Sequence, residues 1–364
     1  MNKMTNSRRS SHGLGLVELM VGMVIGMITL LVVTQIMQSF ESQKRTSTGG
    51  NDAQTNGALA LYTLDREIRM AGYGVIGPEG LLCQDGINTY YDPKDGGAPQ
   101  VQNGADLLPI LIIDGGADNP DSIAIMRSDA DFGAIPTSVV KGMPTPSSII
   151  TANSSGGLSK GDLFIMAAKD GSKLCTLMQM SQDPQVTGNG VNLQHNSGND
   201  SPYNPPNPEK VFEVAPVYAI GDLVINMGNY IRRRYSVLCD RLTEVDPLLV
   251  AVPTCANSTT LFSHIVNVQA VYGVASGANP SEVNEWLPAT GAWANPTSAM
   301  IARIKAIRIA VVARNPQYEK DVISPDSLLL WENGPEITLT EDERHFRYRV
   351  FETIVPLRNL IWAS

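Results

Sequence analysis

The stretch GLGLVELMVGMVIGMITLLVV, Gly13 to Val33, decides the reading of the whole chain. It is apolar except for Thr29 and one carboxylate, Glu18, near its front edge. From Leu19 to Phe40 there is no charged residue. At about 1.5 Å per residue that run is long enough to cross a hydrocarbon core of about 30 Å. Lys3, Arg8 and Arg9 precede it without an acidic residue, which places the N-terminus on the cytoplasmic side. After the apolar run the chain reads QSFESQK (38–44), with no small-x-small cleavage pattern, so a retained membrane helix is expected. A carboxylate at the centre of such a helix costs about 2.5–3.5 kcal/mol, and less at the edge. Glu18 either snorkels to the interface or meets a cationic partner. Gly22 and Gly26 form a GxxxG pattern, which lets a second helix come close.

Helical periodicity continues beyond the apolar part. ALALYTLDREIRMAGYG (58–74) puts Leu61, Leu64, Ile68 and Ala71 on one face. Asp65 and Arg69 have the spacing of an i, i+4 ion pair, and Gly72 and Gly74 suit a helix stop. The intervening TSTGGNDAQTNG (46–57) contains Gly49, Gly50 and Gly57, each weakening helix by about 1 kcal/mol. The expectation is one long, soft-jointed helix from about Leu14 to Ala71, with two separate helices as the alternative.

From about Tyr73 the pattern changes to short apolar runs between turn residues. Strands are expected over 121–127, 161–168, 173–180, 217–228, 230–238, 265–274, 304–314 and 347–357, giving an antiparallel β domain. Long polar loops are expected at 183–210 and at 277–300, the second with a helical turn. Glycine (32) and proline (23) are plentiful and only 17% of residues are charged, which fits a turn-rich β domain better than a bundle. The net charge of −9 argues against a generic nucleic-acid surface. The fold class is therefore α+β. A basic leader (1–13) precedes a long N-terminal helix (14–72, membrane part about 14–40), which leads to a β-rich antiparallel head (73–364). Cys83, Cys175, Cys239 and Cys255 form no metal spacing, and their even number outside the cytosol permits two disulfides. Cys239–Cys255 is the favoured local pair and leaves Cys83–Cys175, although four cysteines allow three connectivities.

A short basic leader, Gly13, four residues, then Glu18 inside an apolar helix resembles the class III signal of type IV prepilins. The resemblance implies that a membrane-bound prepilin peptidase cuts between Gly13 and Leu14. It also implies that Leu14 becomes N-methylated and that Glu18 meets the new α-ammonium of a neighbouring subunit during assembly. The sequence departs from the family in having Leu14 where Phe is usual, and in Gly15. LDREIRMAGYG, IVNVQAVYGV and RYRVFETIVPLRNLIW are similar to segments of PilW-type minor pilins of type IV pili; the J-type pseudopilin of type II secretion is the alternative. The resemblance further implies a pilin-like subunit held first in the inner membrane with a periplasmic head, then in a pilus on the cell surface. Its implied partners are other minor pilins, the major pilin, a tip adhesin, the assembly platform of the inner membrane and, before assembly, the lipid bilayer. Twitching motility and adhesion are the implied processes. A head of roughly 290 residues has a radius of gyration of about 19 Å. That width is hard to repeat along a shaft, so a tip-proximal, initiating position is expected.

The sequence supplies little catalytic chemistry, and no enzyme activity, cofactor or metal is expected. GYGVIG (72–77) matches a dinucleotide-binding pattern but follows a helix, where a strand is required. GLSKG (157–161) sets Ser159 ahead of a strand instead of a helix, and His195, His264 and His345 are scattered. DGGADNPD (114–121) lacks EF-hand spacing and reads as a solvated turn. RRR (232–234) lies in a strand pattern that puts Arg232 and Arg234 on one face, expected to be solvated.

Overall fold

Helix α1 runs unbroken from Leu16 to Met70 in the computed structural model. The structure describes residues 15–361 apart from 78, 79, 82, 95, 106, 117, 131–135 and 277–281. The single-helix reading holds, and the glycine-containing stretch 46–57 is helical. The chain forms two compact units, Met1–Asp52 and Ala53–Ser364. In the first, Leu16–Glu41 is an apolar segment of 26 residues with mean hydropathy 2.5 and no buried residue, long and apolar enough to cross a membrane.

The second unit begins at Ala53 because the rear of α1 packs into the head. Ala53, Gly57, Ala60, Leu64, Ile68 and Ala71 recur every three or four residues and are all buried. Leu64, Ile68 and Ala71 occupy the face their spacing indicates, whereas Leu61 is half-buried and Ala60 takes the inner position. Gly57 is no soft joint. A Cβ there would run into the Phe351 ring, so the missing side chain is what lets helix and sheet meet. Asp65 and Arg69 form the expected pair, with two bonds of 2.8 Å. Gly72, at φ +78°, then ends the helix, and its N–H donates to Met126 O at 2.8 Å.

Three larger sheets make up the head among the described residues. The nine-stranded sheet runs Gln185–Thr187, Gly190–Leu193, Ile150–Ala152, Thr137–Lys141, Leu223–Gly228, Leu163–Ala167, Cys175–Gln179, Ile87–Tyr91, Gln100–Ala105. The five-stranded sheet runs Thr259–Ser263, Arg241–Val245, Ile231–Leu238, Ser122–Arg127, Ile110–Ile113. The four-stranded sheet runs Glu285–Leu287, Ile265–Val274, Ile304–Arg314, Tyr348–Pro356. Pairing is antiparallel except between Cys175–Gln179 and Ile87–Tyr91, which are parallel. One core joins the rear of α1 to both smaller sheets, through Leu64 and Ile68 with Ile110, Ile123, Ile265, Ile307, Ile309 and Val355.

Three expectations change. The run 217–228 becomes a strand only at Leu223. Before it, Gly221 at φ +91° and the Ala219 N–H on Asp222 Oδ2 (2.7 Å) make a turn. The polar stretch 183–210 holds the hairpin Gln185–Thr187 with Gly190–Leu193 and a helical turn, Pro208–Val211. Within 277–300 lie a strand, Glu285–Leu287, a 3-10 turn, Gly291–Ala294, and a helical turn, Ser298–Ile301.

Candidate assembly surface

Gly13 and Leu14, the expected cleavage and methylation site, lie outside the described residues. Glu18 is exposed on the first turn of α1, and the Gly15 N–H donates to its Oε2 at 3.4 Å. Gly15 is the cap residue and Glu18 stands three positions inside, so the carboxylate reaches back to the cap N–H as in a capping box. The same position suits a negative charge, because the N-terminal end of a helix carries partial positive charge. The sequence reading missed this local role; the signal was the three-residue interval itself. Around Gly22 and Gly26 no heavy atom lies within 4 Å of an added Cβ, so the GxxxG notch is open on the isolated chain. Thr29 and Thr34 donate their hydroxyls to Ile25 O (2.8 Å) and Leu30 O (3.0 Å), so the span presents neither hydroxyl hydrogen unpaired.

In the head all four cysteines pair, as Cys83–Cys175 and Cys239–Cys255. The first secures the parallel strand pair, where the Cys175 N–H also donates to Gly86 O. The second holds a two-residue hairpin turn in which Cys239 and Asp240 have φ +52° and +56°. That is the turn geometry usually given to Asn-Gly, so a non-glycine pair here is strained by about 1–2 kcal/mol per residue. The crosslink and an ion pair from Asp240 to Arg314 hold it.

Most residues that suggested other chemistry have local partners in the head. Ser159 is exposed in the turn before Leu163–Ala167, and its N–H donates to Asp162. His195 is buried with Nε2 2.9 Å from Ser148 O, and burial lowers its pKa. His345 stacks on Tyr318, while His264 occupies a left-handed turn position at φ +65°. Arg232 is not on a solvated face. It is 8% exposed, stacks over Tyr230 and pairs with Asp246 at 3.3 Å. The acidic loop is a buckle instead of a solvated turn. Asp121 accepts the N–H groups of Gly115 (3.0 Å) and Ala270 (2.9 Å), and Asp118 accepts from Thr338 (2.9 Å). Burial raises the Asp121 pKa to about 6, outweighing those two bonds, which favour the charged form. No cluster of metal-ligating side chains occurs among the described residues. A cavity of about 320 Å³ is lined by Val266, Leu328 and Tyr348 together with Arg314 and Glu343. Those two charges are already engaged, by Asp240 and Thr340.

Residues 8–34 match the prokaryotic N-terminal methylation motif, a range that includes Arg8 and Arg9 of the leader, Gly13, Glu18 and the glycine notch. With an exposed apolar helix ahead of a β-rich antiparallel domain, the motif makes the chain a pilin-like protein of the prepilin class. Within that class its head is similar to the PilW type. The family described as type IV pilus-assembly protein W matches residues 217–359, from the turn before Leu223 to the end of the four-stranded sheet. No curated protein and no solved structure matches the chain. The chain is thus a minor pilin associated with type IV pili, anchored through its N-terminal helix.

Proposed function

We propose that this protein is a tip-proximal subunit that starts pilus assembly. The prepilin peptidase removes the leader after Gly13, Leu14 is methylated, and the head stands on the periplasmic side before extraction from the inner membrane. The observation that carries the reading is the wholly exposed helix segment Leu16–Glu41, charged only at its two ends, by Glu18 near its start and by Glu41. Each buried aliphatic side chain is worth about 1.5–3 kcal/mol, so this surface must be covered, first by lipid and then by neighbouring helices. Among those helices the natural partner of Glu18 is the α-ammonium that cleavage creates on the next subunit. The free ammonium and the Gly15 N–H then compete for one carboxylate, and docking exchanges the long capping bond for an ion pair. The notch at Gly22 and Gly26 gives a neighbouring helix room to approach.

The position at the tip follows from bulk. A head of roughly 290 residues with two additional loop regions is difficult to repeat at every small axial step of a shaft. Other minor pilins, the major pilin below and an adhesin above are the corresponding partners, with twitching and adhesion as the processes served. The match over residues 217–359 favours this reading over a secretion pseudopilin. Deleting the gene tests it. Surface pili are expected to be lost and to return with the wild-type gene, and to return poorly with Glu18→Ala. Normal piliation after deletion, with no compensating paralogue, overturns the initiating role.

A further inference from the structure

Among the described residues the strand Tyr348–Pro356 ends its sheet and has a strand neighbour on one side only, Ile304–Arg314. The register tells which of its main-chain groups are used. The Leu357 N–H donates to Lys305 O at 2.9 Å, and the Asn315 N–H donates to Arg347 O at 2.8 Å. These are the bonded pairs at the two ends of the ladder, and the pairing between them has no register shift. Bonded pairs alternate along an antiparallel ladder. Arg349, Phe351, Thr353 and Val355 therefore turn N–H and C=O inward, toward Ile304–Arg314. Val350, Glu352 and Ile354 turn theirs outward, repeating about every 7 Å. Among the described residues none of these three makes a main-chain bond on the outer side.

Natural sheets usually protect such an edge by shortening it, kinking it or covering it. The other outer strands here do so. Gln185–Thr187 and Glu285–Leu287 have three residues each. Gln100–Ala105 and Thr259–Ser263 pair with register shifts. On Ile110–Ile113 the Ile112 N–H is already given to the Tyr272 hydroxyl at 2.7 Å. Tyr348–Pro356 has nine residues, no bulge, and a proline only at its last position.

We propose that this edge receives an extended segment of another polypeptide as a fifth strand. A repeating row of outward donors and acceptors is matched in register by the backbone of a strand. The side chains define its character. Val350 and Ile354 flank Glu352 on one face; Ile354 is 49% exposed, and Glu352 is held by Arg308 at 3.1 Å. On the other face Arg349 is exposed with no carboxylate partner among the described residues. The fitting strand carries apolar side chains beside Val350 and Ile354 and an acidic one beside Arg349. A second copy fits poorly, since two such edges centred on one another set Glu352 against Glu352. The assignment rests on the pilin reading only for the source of the partner.

The test uses the full chain in its own cells, with p-benzoylphenylalanine in place of Ile354 and, as a control, in place of exposed Leu329. Light is expected to link position 354, and not 329, to a different polypeptide. Glu352→Pro removes one outward N–H and is expected to cut the yield at least tenfold with little change in Tm. Glu352→Ala keeps that N–H and keeps the crosslink, whereas Thr353→Pro removes an inward bond and lowers Tm. In the detergent-solubilised chain, the amides of Val350, Glu352 and Ile354 are expected to exchange faster than those of Phe351 and Thr353. The proposal is overturned by reversed exchange, by no adduct, by an adduct of only lipid or twice the chain mass, or by a crosslink that survives Glu352→Pro. Absence of the chain from sheared filaments with the crosslink intact contradicts the pilus reading alone; presence there without the crosslink contradicts the edge alone.

Discussion

Glu67 Oε2 lies 3.4 Å from Arg127 Nη2, joining α1 to the strand Ser122–Arg127 through side chains only 7% and 15% exposed. Glu67 also accepts from Arg66 at 2.8 Å through its other oxygen. A carboxylate on the inner face of a helix is costly unless paired, so this contact helps set how far Ala53–Met70 sits along the head.

Removing one partner leaves the other buried and uncompensated. Glu67→Ala is expected to destabilise the head by about 3 kcal/mol. A Glu67→Leu, Arg127→Met double variant should recover most of that loss, because a well-packed apolar pair is often neutral relative to a buried ion pair. Denaturant midpoints of the detergent-solubilised chain distinguish the two cases.

Gly57→Ala should destabilise despite a helix-propensity gain of about 1 kcal/mol, since the new methyl group meets the Phe351 ring and the Ala313 methyl group. The overpacking cost is about 1–3 kcal/mol. Adding Phe351→Leu should restore stability if the ring is the obstacle, and thermal melts read both effects.

Peptide mapping without reductant should recover Cys83–Cys175 and Cys239–Cys255 and no other pairing. Breaking the shorter loop with Cys239→Ala and Cys255→Ala is expected to cost about 3 kcal/mol, and breaking the longer one about 4.7 kcal/mol, in the chain-entropy picture.

Asp121 contributes a pH dependence of unusual sign for a carboxylate. Its folded pKa of about 6 lies above the ordinary 3.8, so between those values the folded chain holds more proton than the unfolded chain. Stability from this group is therefore greatest below about pH 4 and falls as pH rises through 6. Asp114, which also faces it, pushes in the same direction. Relative to Asp121→Asn, wild-type Tm should be higher at pH 4.5 than at pH 7; a flat difference contradicts the assignment.

The sequence displays some of this architecture and conceals the rest for physical reasons. Ile265–Val274 and Ile304–Arg314 are legible because they are central strands buried on both faces, rich in aliphatic residues and interrupted only by Asn267, Gln269, Lys305 and Arg308 before the closing Arg314. Gln100–Ala105, QVQNGA, has no apolar alternation, and only its pairing with Ile87–Tyr91 makes it a strand. The inner positions of α1 slip by one residue from Leu61 to Ala60 because close packing against the sheet favours the small side chain. Arg232 reads as solvated until the fold brings Asp246 and Tyr230 around it. The motif around Gly13 and Glu18 is legible because local spacing carries it, whereas the open edge at Tyr348–Pro356 depends on a ladder that spacing does not reveal.

The proposed role depends on two events, processing after Gly13 and entry into the pilus as a scarce, tip-proximal subunit. Quantitative mass spectrometry of sheared, purified filaments reads both at once. The expected result is an N-terminal peptide starting at methylated Leu14, in far fewer copies than the major subunit. An intact leader, a start beyond Phe40, or abundance equal to the major subunit contradicts that role.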